Sequence, residues 1–199
     1  MAKKKKGGII KLLFVLIFIT CVIIVATLSW KSGRDTIHGE FNNEKKAAAQ
    51  VLYSEITNVD IEKVYPKTPD EVMQFYGKCY RLLYGDMIND EEVFAKVLHI
   101  QRKLYSDELA NKNLFENQLQ KIKEDVSKLK ESEVFVLDFD TKPPIYDKNY
   151  QTCDVRTVIS TNANNENGVL KAYMVFNIIK DENDCWKIHS FRNTNEEFE

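Results

Sequence analysis

The sequence contains few of the residues that usually mark a catalytic or metal site. Among 199 residues there are seven glycines, four prolines, four cysteines and three histidines. No glycine-rich phosphate loop and no Gly-x-Ser-x-Gly elbow occurs, so nucleotide-dependent and serine-hydrolase chemistry lack a motif. Neither His-x-x-x-His nor Cys-x-x-Cys spacing accompanies the histidines, His38, His99 and His189. We therefore expect no metal and no cofactor.

Cysteine is too sparse to build a disulfide framework. Cys21 lies in an apolar run, which leaves Cys79, Cys153 and Cys185 for the rest of the chain. An odd, widely spaced set of three does not have the pattern of a bridged scaffold. A single bridge between Cys153 and Cys185 on neighbouring strands is one interpretation, and free buried thiols are the other. The low cysteine count favours the free thiols.

The longest apolar run in the chain is residues 9–30, "IIKLLFVLIFITCVIIVATLSW", which only Lys11 interrupts. A helix of about 20 apolar residues is long enough to span a bilayer. Four lysines at positions 3–6 precede the run, whereas only Lys31 and Arg34 follow it closely, so the positive-inside rule places the N-terminus in the cytoplasm. A cleaved signal peptide is the alternative, although its apolar region is usually only about 7–15 residues long.

These features predict a single-pass protein of the cell membrane with its larger part outside. The predicted segments are a cytoplasmic basic head (1–8), a transmembrane helix or signal-anchor (9–30), a juxtamembrane linker (31–44) and an extracytoplasmic domain (45–199). Residues 35–199 hold 21 Lys and Arg against 30 Asp and Glu, a net charge of −9. Such a domain is a poor match for nucleic acid or for anionic lipid.

The segment "VYPKTPDEVMQFY" (Val64 to Tyr76) holds the strongest local signal. Thr68 followed three residues later by Glu71 predicts a capping box, and Pro69 suits the first helical position because its missing N–H leaves no hydrogen bond unmade. The segment therefore predicts the start of a helix that Gly85 ends, and it does not predict a catalytic site. Tyr65 has no role in this capping chemistry.

The remaining pattern predicts an α+β domain of three to four helices packed on a curved antiparallel sheet of about four strands. Apolar residues recur at helical spacing in three further segments, and Asn89 is the predicted cap of the second of them. From Val134 the period changes to two, as in strands. The predicted helices are 45–57, 89–105 and 115–129, and the predicted strands are 134–140, 153–161, 170–179 and 185–192.

Several features together resemble known families. The Lys-rich start, the apolar run, "YPKTPDEV" (Tyr65 to Val72) and "WKI" (Trp186 to Ile188) resemble an uncharacterised family of single-span membrane proteins from clostridia-like bacteria. The order of helices and strands is similar to the NTF2-like cone fold. That fold includes ketosteroid isomerase-like enzymes, small-ligand binders and membrane-anchored scaffold domains of the VirB8 type. The resemblance implies a location and a fold, and it assigns no activity.

An enzyme of the isomerase-like kind needs an acid and a hydrogen-bond donor in the pocket of the cone. Asp138 is the best acid candidate, because the predicted strand places it on one face with Val134 and Val136. Tyr76 or Tyr80 would supply the hydrogen bond. The alternative is that Asp138 lies, with Asp140, where the strand emerges into water, and we favour it. His189 is predicted to point away from the core.

Binding is therefore favoured over catalysis. The predicted function is a membrane-anchored extracytoplasmic interaction or scaffold domain whose partners are other membrane or envelope proteins. The alternatives are a small-ligand-binding NTF2-like domain and an isomerase-like enzyme. A scaffold predicts an exposed apolar or aromatic patch, a ligand binder predicts a closed apolar pocket, and an enzyme predicts a pocket with at least two polar groups.

Overall fold

A computed structural model describes residues 38–88, 90–162 and 168–198 of the chain. These residues form an α+β domain in which the helices come first and an antiparallel sheet follows. The helices are α1 (His38–Thr57), α2 (Pro69–Tyr84), α3 (Glu91–Arg102), α4 (Asp107–Lys112) and α5 (Phe115–Glu131). The strands are β1 (Val136–Thr141), β2 (Ile145–Tyr146), β3 (Thr152–Asn162), β4 (Val169–Lys180) and β5 (Trp186–Thr194).

The structure corrects the predicted fold, which began with a transmembrane helix and counted three to four helices and about four strands. Nowhere in the described ranges is a helix both long and apolar enough to cross a bilayer. The longest of them, α1, has 20 residues, but three glutamates and two lysines interrupt its sequence. The predicted head at 1–8 and the predicted span at 9–30 lie outside the described residues. The membrane-spanning part of the fold prediction is therefore replaced by an α+β domain with five described helices.

Helix α2 begins as its sequence predicts. Thr68 Oγ1 accepts the Glu71 N–H at 3.2 Å, and Pro69 occupies the first turn. The Glu71 carboxylate reaches back to the N–H of Lys67 at 2.7 Å, one residue before the cap. Two backbone donors at this helix end are therefore satisfied by side chains, as in a capping box.

The start of α3 differs from its prediction. Asp90 is the N-cap, and its carboxylate accepts the N–H groups of Glu92 and Val93 at 2.8 and 3.2 Å. The predicted cap, Asn89, lies outside the described residues. Asp and Asn are equally good caps, so sequence alone does not separate two adjacent candidates. Helix α4 was not predicted, because its six residues are too few to show a helical period.

The sheet has the strand order β1-β3-β4-β5, and all its pairs are antiparallel. The short strand β2 pairs with the beginning of β3, on the same edge as β1. Pro143 and Pro144 separate β1 from β2. Proline has no backbone N–H, and for this reason the two strands form one interrupted edge.

The helices cover one face of this sheet. Alternate residues of β4 are buried against the helices in the arrangement that the sequence predicts, namely Ala172, Met174, Phe176 and Ile178. They share one core with Val72, Met73 and Tyr76 of α2. A second cluster lies between the helices themselves and contains Ile56, Leu82 and Val97. The α2 helix contributes to both clusters and is the central element of the domain.

Strand β1 contains a bulge that reverses its predicted faces. Val136 pairs with Thr161, but Asp138 already pairs with Ser160, so Leu137 is an extra residue in β1. A bulge of this kind rotates the following side chains by one position relative to the sheet. The predicted face of Phe135, Leu137 and Phe139 is therefore wrong. Leu137 is exposed, while Phe139 packs against the core.

Candidate functional site

The structure removes Asp138 from the predicted pocket. Its side chain is 62% exposed and lies 3.9 Å from Arg81 Nη1, in a surface ion pair. Asp140 is also largely exposed and lies 3.7 Å from Lys142 Nζ. The bulge at Leu137 explains this placement, because without it Asp138 would share the buried face of Val136. The prediction that Asp138 shares a face with Val134 and Val136 is therefore wrong, and the two aspartates lie at the surface.

The two predicted tyrosines lie inside the domain, away from Asp138. The ring of Tyr76 is 5.3 Å from the ring of Phe176, and Tyr80 is 5.4 Å from Phe139. Burial raises the pKa of both hydroxyls above the ordinary value for tyrosine. Both therefore stay protonated at neutral pH, which permits hydrogen bonding and excludes a role as a base. Their rings belong to the aromatic core of the domain.

Asp125 is a buried carboxylate that sequence reasoning missed. It lies on α5, is 2% exposed and forms an ion pair with Lys121. Its charge adds to the burial that raises the pKa of Tyr80 and Tyr84. A signal did exist, because Asp125 lies three residues after Ile122 and four before Leu129, on the buried face of α5. Lys121 compensates its charge, so the pair stabilises the helix packing.

A serine, a histidine and a glutamate also meet at one edge of the sheet. Ser106 Oγ lies 3.4 Å from His189 Nδ1, and His189 Nε2 lies 3.6 Å from Glu108 Oε2. The serine hydroxyl already accepts the Leu109 N–H as the cap of α4, and the Ser106 N–H donates to the Ile188 carbonyl at 2.9 Å. The hydroxyl is thus held in a structural hydrogen bond. The arrangement fastens α4 to β5.

The other candidates from the sequence also lie in structural surroundings. His99 packs edge-on to the ring of Phe115 at 6.2 Å. Within the described ranges, no group of three or more His, Cys, Asp or Glu side chains is arranged to hold a metal ion. Cys79, Cys153 and Cys185 are free thiols. Cys153 lies on β3 opposite Ile178 of β4, so β4 separates it from the residue that precedes β5.

Aromatic side chains gather at one end of the sheet, around Trp186. Tyr150 is 65% exposed and Tyr146 is 40% exposed. The Tyr146 ring lies 5.4 Å from that of Tyr150 and 5.9 Å from that of Trp186. We name this surface the end patch and define it by four residues: Tyr65, Tyr146, Tyr150 and Trp186.

Tyr65 joins two sequence segments at the end patch. Its hydroxyl donates to the Trp186 carbonyl at 2.8 Å, and Lys187 Nζ lies 4.0 Å from the centre of its ring. The segments "YPKTPDEV" and "WKI", which are 121 positions apart, therefore meet here. The helix cap alone left Tyr65 unexplained, and the structure shows that it fixes the start of β5.

The turn that presents Tyr150 is tightly held. Asp147 Oδ1 accepts the N–H groups of Gln151 and Thr152 at 2.9 and 3.1 Å, and these hydrogen bonds lower the pKa of the carboxyl. Tyr150 itself has a φ of 55°, in the left-handed region that bulky residues avoid. Backbone strain of this kind persists where the surroundings impose it, and it is frequent at functional sites.

Sequence reasoning missed the end patch, although a signal was present. Two tyrosines in the polar segment "YDKNY", directly after Pro143-Pro144, indicate aromatic rings on a turn. The segments that complete the patch are distant in sequence, and only the sheet brings them together.

Comparison with known proteins shows the family of the chain. The family model "Domain of unknown function (DUF6715)" matches residues 1–191. The chain belongs to the DUF6715 family. The matched residues include all four positions of the end patch.

Other comparisons of this DUF6715 chain give distant likenesses. No curated protein matches its sequence. Among solved structures, the intermembrane space region of the chloroplast protein ARC6 is similar, with 10% sequence identity and a TM-score of 0.36. The likeness covers 69% of this chain and 98% of that one.

Proposed function

We propose that this domain is a protein-interaction module that binds its partner through the end patch. The observation that carries the proposal is the exposure of Tyr146 and Tyr150 beside the buried ring of Trp186. Clustered exposed apolar side chains are typical of interaction sites, and tyrosine and tryptophan dominate binding energy at many interfaces.

The construction of the end patch also suits binding. Ring contacts hold Tyr146 between Tyr150 and Trp186, and Asp147 holds the backbone of the turn. Side chains that are already ordered lose little conformational entropy when a partner binds. The net charge of −9 over residues 35–199 opposes binding to nucleic acid, whose phosphates attract basic surfaces. A protein with apolar side chains of its own is the partner that fits.

The proposal also includes the cellular location of the domain. We place it on the extracytoplasmic side of the cell membrane, with other membrane or envelope proteins as partners. The charges beside the apolar run support this, because four lysines at positions 3–6 precede it and only Lys31 and Arg34 follow it closely. The order of elements supports an NTF2-like arrangement, and the quoted motifs support the family from clostridia-like bacteria.

An alkaline phosphatase fusion after Arg34 is expected to be active, and an inactive fusion would place the domain inside.

The test of the end patch is crosslinking of the full-length protein in its native cells, followed by recovery in gentle detergent. We expect a stoichiometric partner with the natural chain and its loss in the double variant Tyr146→Ser, Tyr150→Ser. The matched control is Val51→Ser with Leu114→Ser, which replaces two residues of similar exposure elsewhere. Equal recovery with both double variants would refute the role of the end patch.

Small-ligand binding is the second candidate, and two buried atoms favour it. Gln101 Nε2 and Thr157 Oγ1 are buried and have no hydrogen-bond partner among the described residues. Buried polar atoms are usually satisfied, so a small polar molecule bound beside either atom would supply the missing partner. Native mass spectrometry of the purified protein tests this, since a retained ligand adds a defined mass. The isomerase-like alternative has no such support, because Asp138 lies at the surface.

A further inference from the structure

The outer face of the sheet, opposite the helices, contains two buried valines that belong to neither hydrophobic core. Val158 of β3 and Val175 of β4 are each 7% exposed. Their neighbours Ile159, Met174 and Phe176 point into the helix-facing core. Because side chains alternate along a strand, Val158 and Val175 lie on the other face. Something other than the helices covers them.

The residues after β5 return over this face. The ring of Phe198 lies edge-on to the ring of Tyr173 at 5.5 Å, and the Arg156 guanidinium lies 5.2 Å from the centre of the Phe198 ring. Arg156 Nη2 also lies 3.9 Å from Glu196 Oε1. We name residues 195–198 the tail. Two of its residues, Glu196 and Phe198, contact Arg156.

The positive charge of two arginines on the outer face favours the binding of an acidic segment. Arg156 pairs across the sheet with Val175, and Val175 pairs with Arg192, so the two arginines flank one valine on the outer face. A pair of guanidinium groups can bind carboxylates while also packing on an aromatic ring. The tail sequence "NEEFE" has these features, with acidic residues on both sides of one phenylalanine.

The contacts that hold the tail are weak. The Glu196 side chain is largely exposed, the Arg156 side chain is partly exposed, and their distance is at the upper limit for an ion pair. Exposed ion pairs contribute little to stability. A tail attached by weak contacts still occupies its site, because attachment to the same chain gives it a high effective concentration. A segment of the same chemistry that binds more tightly would displace it.

We infer that the outer face is a second docking site, which takes an acidic segment with a central phenylalanine from a partner protein. In the free protein the tail occupies this site and blocks it. Arg156 contacts the carboxylate and the face of the phenylalanine ring, and Tyr173 contacts the edge of the ring. The site is separate from the end patch and does not depend on the proposed function of that surface.

The experiment uses a fluorescent peptide with the sequence of residues 193–199, "NTNEEFE", and measures its anisotropy with the purified protein. We expect binding to the chain that ends at Thr194, and binding at least about tenfold weaker to the natural chain, whose tail competes. Arg156→Ala in the shortened chain is expected to weaken binding about tenfold or more, since the arginine makes both contacts. Lys171→Ala, an exposed cation on the same strand face, is the matched control.

Two further measurements test whether the phenylalanine is needed to occupy the site. Phe198→Ser in the full-length chain vacates the aromatic position without shortening the protein, and it is expected to restore peptide binding. The peptide "NTNEESE", which lacks the phenylalanine, is expected to bind about tenfold less tightly than "NTNEEFE". The inference is overturned if the shortened chain binds neither peptide, or if Arg156→Ala leaves the affinity unchanged.

Discussion

Two regions of this domain are built from the same residue types and differ in what covers them. In the interior cluster, Tyr76 and Tyr80 of helix α2 pack against Phe139 and Phe176. The end patch places Tyr146 and Tyr150 against Trp186, and its tyrosines face water. Ring distances are similar in both, between 5.3 and 5.9 Å for these contacts. The difference in exposure indicates that the first cluster stabilises the fold and the second is free to bind.

The largest expected effect separates the two regions by stability. Phe176 is fully buried and contacts rings on three sides. We expect Phe176→Ala to lower the free energy of unfolding by about 3–5 kcal/mol, through lost burial and a cavity. The exposed counterpart Tyr150→Ala is expected to change it by less than about 0.5 kcal/mol. Urea unfolding measures both, and equal losses would contradict the distinction.

The next effect tests how closely the interior is packed. A Cβ added at Gly77 would lie 2.6 Å from Phe139 Cδ1, closer than van der Waals contact allows. We expect Gly77→Ala to lower the free energy of unfolding by about 1–3 kcal/mol, as overpacking does. In a Phe139→Ala background the same substitution is expected to be less costly, because the clashing Cγ and Cδ1 atoms are gone. An unchanged cost in that background would show that the close contact is not the cause.

A smaller effect concerns the hydrogen bond that supports the end patch. Tyr65→Phe removes the donor to the Trp186 carbonyl and is expected to lower the free energy of unfolding by about 0.5–1.5 kcal/mol. Tyr53→Phe is the matched control, because the Tyr53 hydroxyl accepts a hydrogen bond from the exposed Lys96 amine at 3.3 Å. Thermal unfolding of the two variants compares them directly. Equal shifts would assign Tyr65 no special role.

The smallest expected effect is a pH dependence of the turn beside Tyr150. The pKa of Asp147 is below its ordinary value of 3.8, because backbone N–H groups stabilise the carboxylate. Its contribution to stability is therefore complete above about pH 4 and is lost as the pH falls through the lowered pKa. NMR titration of the Asp147 carboxyl is expected to show this lowered pKa. Asp147→Ala is expected to remove the corresponding loss of stability at low pH, and a natural-like pH profile in that variant would contradict the assignment.

The features that the sequence predicts well are those set by neighbouring residues. The cap at Thr68 depends on residues within one helical turn. The buried face of β4 follows from simple alternation along ten residues. Such patterns hold because local propensity and tertiary packing favour the same structure.

The features that the sequence did not predict depend on distant partners. The bulge at Leu137 exists only in the pairing with β3. Asp125 is buried because the face of α5 that contains it packs into the domain. The end patch requires Tyr65, Tyr146 and Trp186 to meet from three parts of the chain. No single window of sequence contains these contacts.

The interrupted edge at Pro143 and Pro144 has a consequence for the chain at high local concentration. A continuous edge strand offers a row of free main-chain groups on which further copies can stack into fibres. Here two prolines shorten that row, and β2 contributes only two residues beyond them. The prolines therefore oppose the stacking of further copies on this edge.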